Sequence, residues 1–288
     1  MSSRVVRGVN AIPGLAGPYS RGEPIVMLTA YDYPSASIAA AAGVDVILVG
    51  DSAAMTVLGY SSTRDISIDE LLMLTRAACR GAQRLPLVGD LPFGSYELSD
   101  EQAVATARRF ADEGGCSAVK LEGAGPMLPR VRAIIRAGIP VIGHVGLLPQ
   151  TVRTRDGYRV QGRDAERAIA IVADAVALEA EGCAALIVEA VPAEVTSLLT
   201  ARVNVPVIGI GAGAGTSGQV LVYHDLLGFT QGRLPRFVRQ YATAHESLSN
   251  AVRSWADDVR ARRFPAAEHA YGIAAETLAI VRERLGSA

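Results

Sequence analysis

The segment Val44-Asp-Val-Ile-Leu-Val-Gly-Asp-Ser52 is a short apolar run that ends in a glycine, an acid and a serine. Runs of this kind recur along the chain, and longer stretches with helical patterns separate most of them. Continuous Val, Ile and Leu runs between helices are typical of buried parallel strands and not of hairpins. The predicted strands are residues 25–29, 44–49, 85–89, 117–121, 140–143, 185–188, 205–209 and 219–223.

Helical patterns are predicted between these strands at residues 34–42, 67–80, 99–113, 127–137, 164–181 and 193–202. Ser67 with Glu70, and Ser99 with Gln102, have the spacing of a helix capping box. The link at 211–218 is too short for a full helix, and more helical sequence follows at 235–263 and 267–284.

Eight strand–helix units predict an α/β protein with a (β/α)₈ TIM barrel, a single domain with a C-terminal helical extension. An open doubly wound sheet is the alternative architecture. We expect residues 1–24 to form a flexible N-terminal arm, because Pro13, Pro18, Pro24 and four glycines interrupt any helix there. Residues 25–288 then form the barrel, with C-terminal helices from about 235.

Composition excludes several classes of protein. The 288 residues carry 28 basic and 29 acidic side chains, so the net charge of −1 predicts no nucleic-acid partner. No apolar stretch has the roughly 20 residues of a membrane-spanning helix, so we expect no membrane partner. The three widely spaced cysteines, Cys79, Cys116 and Cys183, fit neither a disulfide framework nor a zinc site. A cytoplasmic location is therefore predicted.

Lys120 is the single lysine among the 28 basic residues. A chain that otherwise uses arginine retains a lysine where a compact ammonium is needed, because the guanidinium group is larger and planar. Lys120 is therefore a candidate functional residue.

Polar side chains follow the predicted strands at the end where TIM-barrel enzymes place their active sites. They are Asp32, Asp51, Ser52, Asp90, Lys120, Glu122, His144 and Glu189. Several carboxylates with one histidine and no cysteine form a ligand set that suits Mg²⁺ better than zinc. Mg²⁺ with open coordination positions would bind a 2-oxo acid and acidify the adjacent C–H bond, with Lys120 close to the developing enolate oxygen.

Ordered motifs at these positions resemble the ketopantoate hydroxymethyltransferase family. They run from Leu28-Thr-Ala-Tyr-Asp32 and Leu48-Val-Gly-Asp-Ser52 to His224-Asp225, and the resemblance covers about residues 25–241. Between them lie Gly89-Asp-Leu-Pro-Phe93, Val119-Lys-Leu-Glu-Gly123, Gly143-His-Val-Gly146, Pro149-Gln150, Val160-Gln-Gly-Arg163, Glu189-Ala-Val-Pro192, Ile208-Gly-Ile-Gly-Ala-Gly213 and Gly218-Gln-Val-Leu-Val222. The resemblance implies transfer of a hydroxymethyl group from 5,10-methylenetetrahydrofolate to 3-methyl-2-oxobutanoate through a Mg²⁺-stabilised enolate, forming 2-dehydropantoate for pantothenate synthesis.

The resemblance also implies roles for particular residues. Asp51, Asp90 and Glu122 correspond to the magnesium site, with Glu122 acting through water, and Glu189 corresponds to the proton acceptor. The residues that match the oxo-acid site are Asp51, Ser52, Asp90, Lys120 and His144, and the role of His144 stays open. The family commonly assembles as homo-oligomers, so a homodecamer is expected.

Three positions depart from the family pattern: Ser61 stands where an acid is frequent, Ala124 where a glycine is, and Gly89 where an alanine is. Two alternative functions remain open. One is a Mg²⁺-dependent 2-oxo-acid lyase or mutase of the phosphoenolpyruvate mutase and isocitrate lyase group, which would be favoured by a catalytic cysteine in a loop. The other is a barrel that serves only as an assembly scaffold, which would be favoured by loss of the strand-end acids.

Overall fold

The strands of this computed structural model, which describes residues 11–153 and 157–286, form a closed barrel of parallel strands in chain order. They are β1 (Ile25–Thr29), β2 (Val46–Val49), β3 (Leu87–Asp90), β4 (Ala118–Glu122), β5 (Val141–Gly146), β6 (Ala185–Glu189), β7 (Val207–Ile210) and β8 (Gly218–Leu221). β8 pairs with β1, so the described sheet has no open edge. The predicted (β/α)₈ barrel is confirmed, and the open doubly wound sheet was wrong.

Four strands, β3, β4, β5 and β6, extend past their predicted ends and carry the site residues Asp90, Glu122, His144 and Glu189 into the sheet. Asp90 pairs with Lys120 across β3 and β4, and Glu122 pairs with His144 across β4 and β5. The predicted strands stop too early because their apolar runs end at polar residues. The main-chain hydrogen bonds between neighbouring strands continue past this point.

Helices on the outside of the barrel cover most of the strands. They are α2 (Tyr33–Ala41), α3 (Ala53–Thr56), α4 (Ile68–Ala82), α5 (Asp100–Asp112), α6 (Leu128–Arg136), α7 (Ala165–Ala180), α8 (Ala193–Thr200) and α9 (Tyr223–Leu226), and an irregular link joins β7 to β8. Strands β2, β3, β4, β5 and β7 are buried at every position because helices cover the outer face and side chains fill the inner face. Six of these helices lie within two residues of their predicted starts and ends.

Side-chain caps define where several helices begin. Ser67 and Glu70 form the predicted capping box of α4. Ser99 caps α5 by accepting from the Gln102 N–H, but Gln102 returns its side-chain oxygen to the Leu98 N–H instead of Ser99. Asp32 caps α2 by accepting from the Ser35 N–H, so this strand-end acid has a structural role.

Residues 12–21 correct the prediction of a flexible N-terminal arm. They include α1 (Pro13–Arg21), and the side chains of Ile12, Leu15 and Tyr19 are buried. These side chains belong to the same apolar cluster as residues from all eight barrel strands, including Ile25 of β1. The helix therefore contributes to the barrel core, while residues 1–10 lie outside the described part of the chain.

The proline and glycine content of this segment misled the prediction. Pro13 occupies the first turn of α1, where a helix has no N–H bond to lose. Gly14 permits close approach to the barrel, since a Cβ there would lie 2.4 Å from the Asp45 carbonyl oxygen. The buried side chains at positions 12, 15 and 19 are apolar and have helical spacing. This spacing was the sequence signal that the prediction missed.

The chain divides into two compact units, residues 1–241 and 242–288, and the second unit holds the predicted C-terminal helical extension. The second unit contains α10 (Ala244–Arg260) and α11 (Ala275–Leu285), which are the predicted C-terminal helices with later starts. One face of α10 exposes large apolar side chains: Leu248, Val252, Trp255 and Val259. In the described part of the chain, no helix combines the length and hydropathy needed to cross a membrane.

Candidate active site

The carboxyl ends of β2 to β6 bring the predicted polar residues together. Asp51 follows β2, Asp90 ends β3, Lys120 and Glu122 lie in β4, His144 lies in β5 and Glu189 ends β6. Each neighbouring pair of strands is parallel and in continuous register, so these ends lie side by side on one rim of the barrel.

A first set of contacts joins Asp51, Asp90 and Lys120. The backbone N–H of Asp51 donates to Asp90 Oδ2 at 3.0 Å, and Lys120 Nζ donates to Asp90 Oδ1 at 2.7 Å. Both oxygens of Asp90 are therefore occupied by protein donors. Since all three side chains are buried, the pairing of Lys120 with Asp90 offsets the cost of removing their charges from water.

A second set of contacts continues from Lys120 through Glu122 and His144 to Glu189. Lys120 Nζ lies 3.6 Å from Glu122 Oε1, and the same oxygen lies 3.4 Å from His144 Nδ1. The other ring nitrogen, His144 Nε2, lies 3.3 Å from Glu189 Oε2. None of these three charge contacts is a hydrogen bond, since Glu122 Oε1 and both ring nitrogens of His144 lack hydrogen-bonding partners among the described residues.

The charges of this cluster shift the pKa values of its members. Burial and the neighbouring Asp90 carboxylate raise the pKa of Asp51 well above its usual value. Burial alone would lower the pKa of Lys120, but the surrounding Asp90, Glu122 and Asp51 carboxylates outweigh it and raise the pKa. Burial and Lys120 likewise oppose protonation of His144, but Glu122 and Glu189 raise its pKa to about 9. These shifts favour the protonated, cationic forms of Lys120 and His144.

Ser52 is held from the side of β1. Its hydroxyl lies 2.8 Å from the Tyr31 hydroxyl, which also accepts from Thr29 Oγ1 at 2.8 Å. Burial raises the pKa of Tyr31 to about 12, so the phenol stays protonated. Tyr31 therefore holds the Ser52 hydroxyl, a role that the sequence interpretation did not assign.

Gln150 is the most connected residue that the sequence interpretation missed. Its side-chain Nε2 donates to Asp51 Oδ2 at 3.1 Å, and its backbone N–H donates to Glu122 Oε2 at 3.0 Å. Tyr96, also missed, donates its hydroxyl to Gln150 Oε1 at 2.7 Å. The Pro149-Gln150 motif was part of the family resemblance, but nothing local in it indicates a buried side chain with these partners.

The donors at the rim fit an oxygen-loving divalent cation. Three buried carboxylates, Asp51, Asp90 and Glu122, share a single lysine, and Glu122 Oε1 lacks a hydrogen-bonding partner among the described residues. The repulsion that raises the pKa of Asp51 is the repulsion that a bound cation would relieve. No three His, Cys, Asp or Glu side chains of the described residues already converge as a metal site, but Mg²⁺ needs only one or two carboxylates besides water and substrate.

The cysteines lie away from this rim. Cys79 is in α4, whereas Cys116 and Cys183 precede β4 and β6 and so lie at the opposite ends of the strands. Burial raises the pKa of both thiols, which makes them poor nucleophiles. This arrangement does not favour the lyase alternative, which needs a reactive cysteine in a loop near the site.

Solved structures with the same fold are distant in sequence. A phosphoenolpyruvate phosphomutase from Streptomyces platensis subsp. rosaceus superposes with a TM-score of 0.58 at 16% identity, covering 91% of each chain. A phosphonopyruvate hydrolase in complex with oxalate and Mg²⁺ superposes with a TM-score of 0.57 at 14% identity, covering 92% of each chain. At these identities the likeness shows the shared fold alone.

Curated relatives are much more similar and share one description, 3-methyl-2-oxobutanoate hydroxymethyltransferase. The protein of Frankia alni is 49% identical over 257 residues, covering 89% of this chain and 84% of the relative. That of Nitratidesulfovibrio vulgaris (strain DP4) is 51% identical over 249 residues, covering 86% and 81%. The family model described as ketopantoate hydroxymethyltransferase matches residues 10–267. The chain therefore belongs to the ketopantoate hydroxymethyltransferase family and is a transferase.

Proposed function

We propose that the protein transfers a hydroxymethyl group from 5,10-methylenetetrahydrofolate to 3-methyl-2-oxobutanoate and forms 2-dehydropantoate. The observation that carries the proposal is the continuous series of buried polar contacts from Asp51 through Lys120 and His144 to Glu189. It combines a site for an oxo acid at one end with a carboxylate base at the other.

The chain's own residues account for binding of the oxo acid and loss of its proton. Lys120 places a fixed positive charge beside the carboxylates, where negative charge develops on the 2-oxo oxygen. Ser52, held by Tyr31, offers a hydroxyl to the substrate carboxylate. Glu189, whose side chain is the most exposed of the cluster acids at 15%, accepts the proton from C3.

Carbon–carbon bond formation follows from that proton loss. The electron pair left at C3 forms a bond to the one-carbon unit of the folate as the bond from that carbon to one folate nitrogen breaks. Water then displaces the second folate nitrogen and supplies the hydroxyl oxygen. The proton taken from C3 and one proton of this water end on the two nitrogens, so tetrahydrofolate and 2-dehydropantoate are the products. Asp51 and Asp90 would hold Mg²⁺, with Glu122 acting through water. When bound, the cation would polarise the 2-oxo group and make the C3–H bond more acidic.

Deuterium exchange tests the first half of this reaction without folate. We expect the purified protein with Mg²⁺ to exchange the C3 hydrogen of 3-methyl-2-oxobutanoate with solvent deuterium, observed by proton NMR. Addition of 5,10-methylenetetrahydrofolate is then expected to yield 2-dehydropantoate. Absence of exchange in metal-loaded protein would contradict the proposal, and so would cleavage of a 2-oxo acid without any one-carbon donor.

We also propose that the protein acts in the cytoplasm as a homo-oligomer, a decamer by resemblance to its family. The exposed apolar face of α10, formed by Leu248, Val252, Trp255 and Val259, supports assembly because contiguous exposed apolar side chains commonly mark a protein–protein contact. The unpaired thiols of Cys79, Cys116 and Cys183 agree with a reducing compartment. Light scattering after size exclusion tests the stoichiometry, and a monomer would contradict it.

A further inference from the structure

Gln150 lies in the short 3₁₀ turn Pro149–Thr151 after β5 and is 2% exposed. All hydrogen-bonding groups of its side chain are used. Nε2 donates to Asp51 Oδ2 at 3.1 Å and to the Leu91 carbonyl at 2.9 Å, while Oε1 accepts from the Tyr96 hydroxyl at 2.7 Å. One side chain thus joins the residue after β2 to two residues of the loop after β3.

The backbone of Gln150 makes a second set of bonds. Its N–H donates to Glu122 Oε2 at 3.0 Å, and its carbonyl accepts from Arg64 Nη1 at 2.9 Å. The Tyr96 hydroxyl also accepts from the Glu122 N–H at 3.3 Å. Gln150 and Tyr96 therefore hold Glu122 from both its side chain and its backbone.

We propose that Gln150 is a positioning residue for the cation site, which holds one oxygen of Asp51 through its amide and one oxygen of Glu122 through its backbone. The inference rests on the proposed function for the existence of that site. It adds a residue that binds neither cation nor substrate and acts through the two carboxylates.

The choice of an amide at this position has a physical reason. Asp51, Asp90 and Glu122 already concentrate negative charge in a buried region, so a fourth carboxylate would add repulsion. A lysine or arginine would neutralise Asp51 and compete with a cation for it. The glutamine amide supplies two N–H donors and one acceptor without charge, and these match its three partners.

The test measures Mn²⁺ binding to the full-length protein without substrate, by electron paramagnetic resonance of free Mn²⁺. Gln150→Met keeps the side-chain length and the backbone bond to Glu122 but removes the bond to Asp51. We expect its apparent Kd for Mn²⁺ to rise about 10- to 100-fold, the usual cost of losing an outer partner of a metal ligand.

Gln219→Met is the matched control. The Gln219 Nε2 also donates two hydrogen bonds, to the Gly213 carbonyl at 2.9 Å and to Thr216 Oγ1 at 2.8 Å, but these partners lie in the link before β8. Both variants lose two donors, so both can lower the Tm of the metal-free protein. Only Gln150→Met is expected to change the Kd, which separates positioning from general stabilisation.

The possible outcomes distinguish the positioning role from the proposed function. A Gln150→Met protein that binds Mn²⁺ like the unmodified protein would overturn the positioning role and leave the proposed function intact. An unmodified protein that does not bind Mn²⁺ would overturn both. If Gln150→Met does not fold, Tyr96→Phe removes the hydroxyl that orients the amide, and we expect about a fivefold weaker Kd. An unchanged Kd in folded Tyr96→Phe would then overturn the inference.

Discussion

Lys120 Nζ lies 2.7 Å from Asp90 Oδ1, and the two side chains are 5% and 2% exposed. This contact joins β4 to β3 at the rim where the predicted site lies. Removing one partner would leave an uncompensated buried charge, which typically costs about 3–5 kcal/mol. The contact therefore makes Lys120 structural as well as functional, and a useful substitution must keep its charge.

Lys120→Arg is expected to lower kcat about 100-fold while the fold is retained. The guanidinium group carries charge but is planar and larger, so it cannot place a compact positive centre between Asp90 and Glu122. Steady-state kinetics measure the effect, and circular dichroism checks the fold. The exposed pair of Arg260 with Asp257 provides a control, because Arg260→Lys exchanges the same residue types at the surface. Turnover near normal in Lys120→Arg would show that the ammonium geometry is not used.

Asp51→Asn and Asp90→Asn are each expected to abolish the Mg²⁺ dependence of oxo-acid binding. A neutral amide is a much weaker ligand for a hard divalent cation than a carboxylate. Calorimetric titration of 3-methyl-2-oxobutanoate with and without Mg²⁺ measures the difference. Glu23→Gln is a suitable control, since Glu23 pairs with Arg21 at the surface. If both variants retain the full metal-dependent gain in affinity, the two aspartates do not hold the cation.

Glu189→Gln is expected to bind Mg²⁺ and oxo acid normally but to exchange the C3 hydrogen about 10²- to 10⁴-fold more slowly. This range is the usual contribution of a positioned general base. The amide retains the size of the side chain and its place 3.3 Å from His144 Nε2, but it does not accept a proton. Proton NMR in deuterated water measures the rate. Exchange at the unmodified rate would remove Glu189 from the proton transfer.

His144 is expected to make the stability of the metal-free protein depend on pH. Its pKa is about 9 in the folded protein against 6.5 for an ordinary histidine. Because the folded value is the higher one, the stabilisation is complete below pH 6.5 and is lost as pH rises through 9. The loss in free energy of unfolding is at most about 3 kcal/mol.

Urea unfolding between pH 6 and pH 10 measures this dependence. His144→Gln is expected to flatten the profile over that range, whereas the same substitution at the exposed His245 is expected to leave it unchanged. Equal slopes for the His144→Gln and unmodified proteins would show that His144 does not bind the additional proton.

Gly89→Ala is expected to destabilise the fold by about 1–3 kcal/mol. A Cβ on Gly89 would lie 2.5 Å from Phe110 Cδ1 and 2.8 Å from Cys116 Sγ, so these side chains occupy the space that an alanine needs. Thermal unfolding measures the loss, and adding Phe110→Leu is expected to restore part of it. Gly272→Ala is the control, since nothing lies within 4 Å of its Cβ position. Unchanged stability in Gly89→Ala would show that Phe110 adjusts freely.

The barrel and its rim could be predicted from local patterns. Apolar runs indicate buried parallel strands, and the first polar residues after each run mark the carboxyl end of the strand. Asp51, Asp90, Lys120, Glu122, His144 and Glu189 were found in this way, and the structure brings them together. The same rule also selected Asp32, which caps a helix, because a strand-end acid and an N-cap have the same local sequence pattern.

Features that depend on distant contacts were decided only by the tertiary structure. Gln150 and Asp51 are 99 positions apart and meet because the barrel closes. The local prolines and glycines predict a flexible arm, but this segment forms α1. The side chains of Ile12, Leu15 and Tyr19 are buried in the apolar cluster of the barrel. Burial of apolar side chains against the barrel outweighs the low helix propensity of this segment. A hydrogen bond between residues far apart in the chain leaves no pattern in the local sequence. The sequence by itself determined which strands form and which charged groups end them, whereas closure of the barrel decided which polar side chains hold those groups in place.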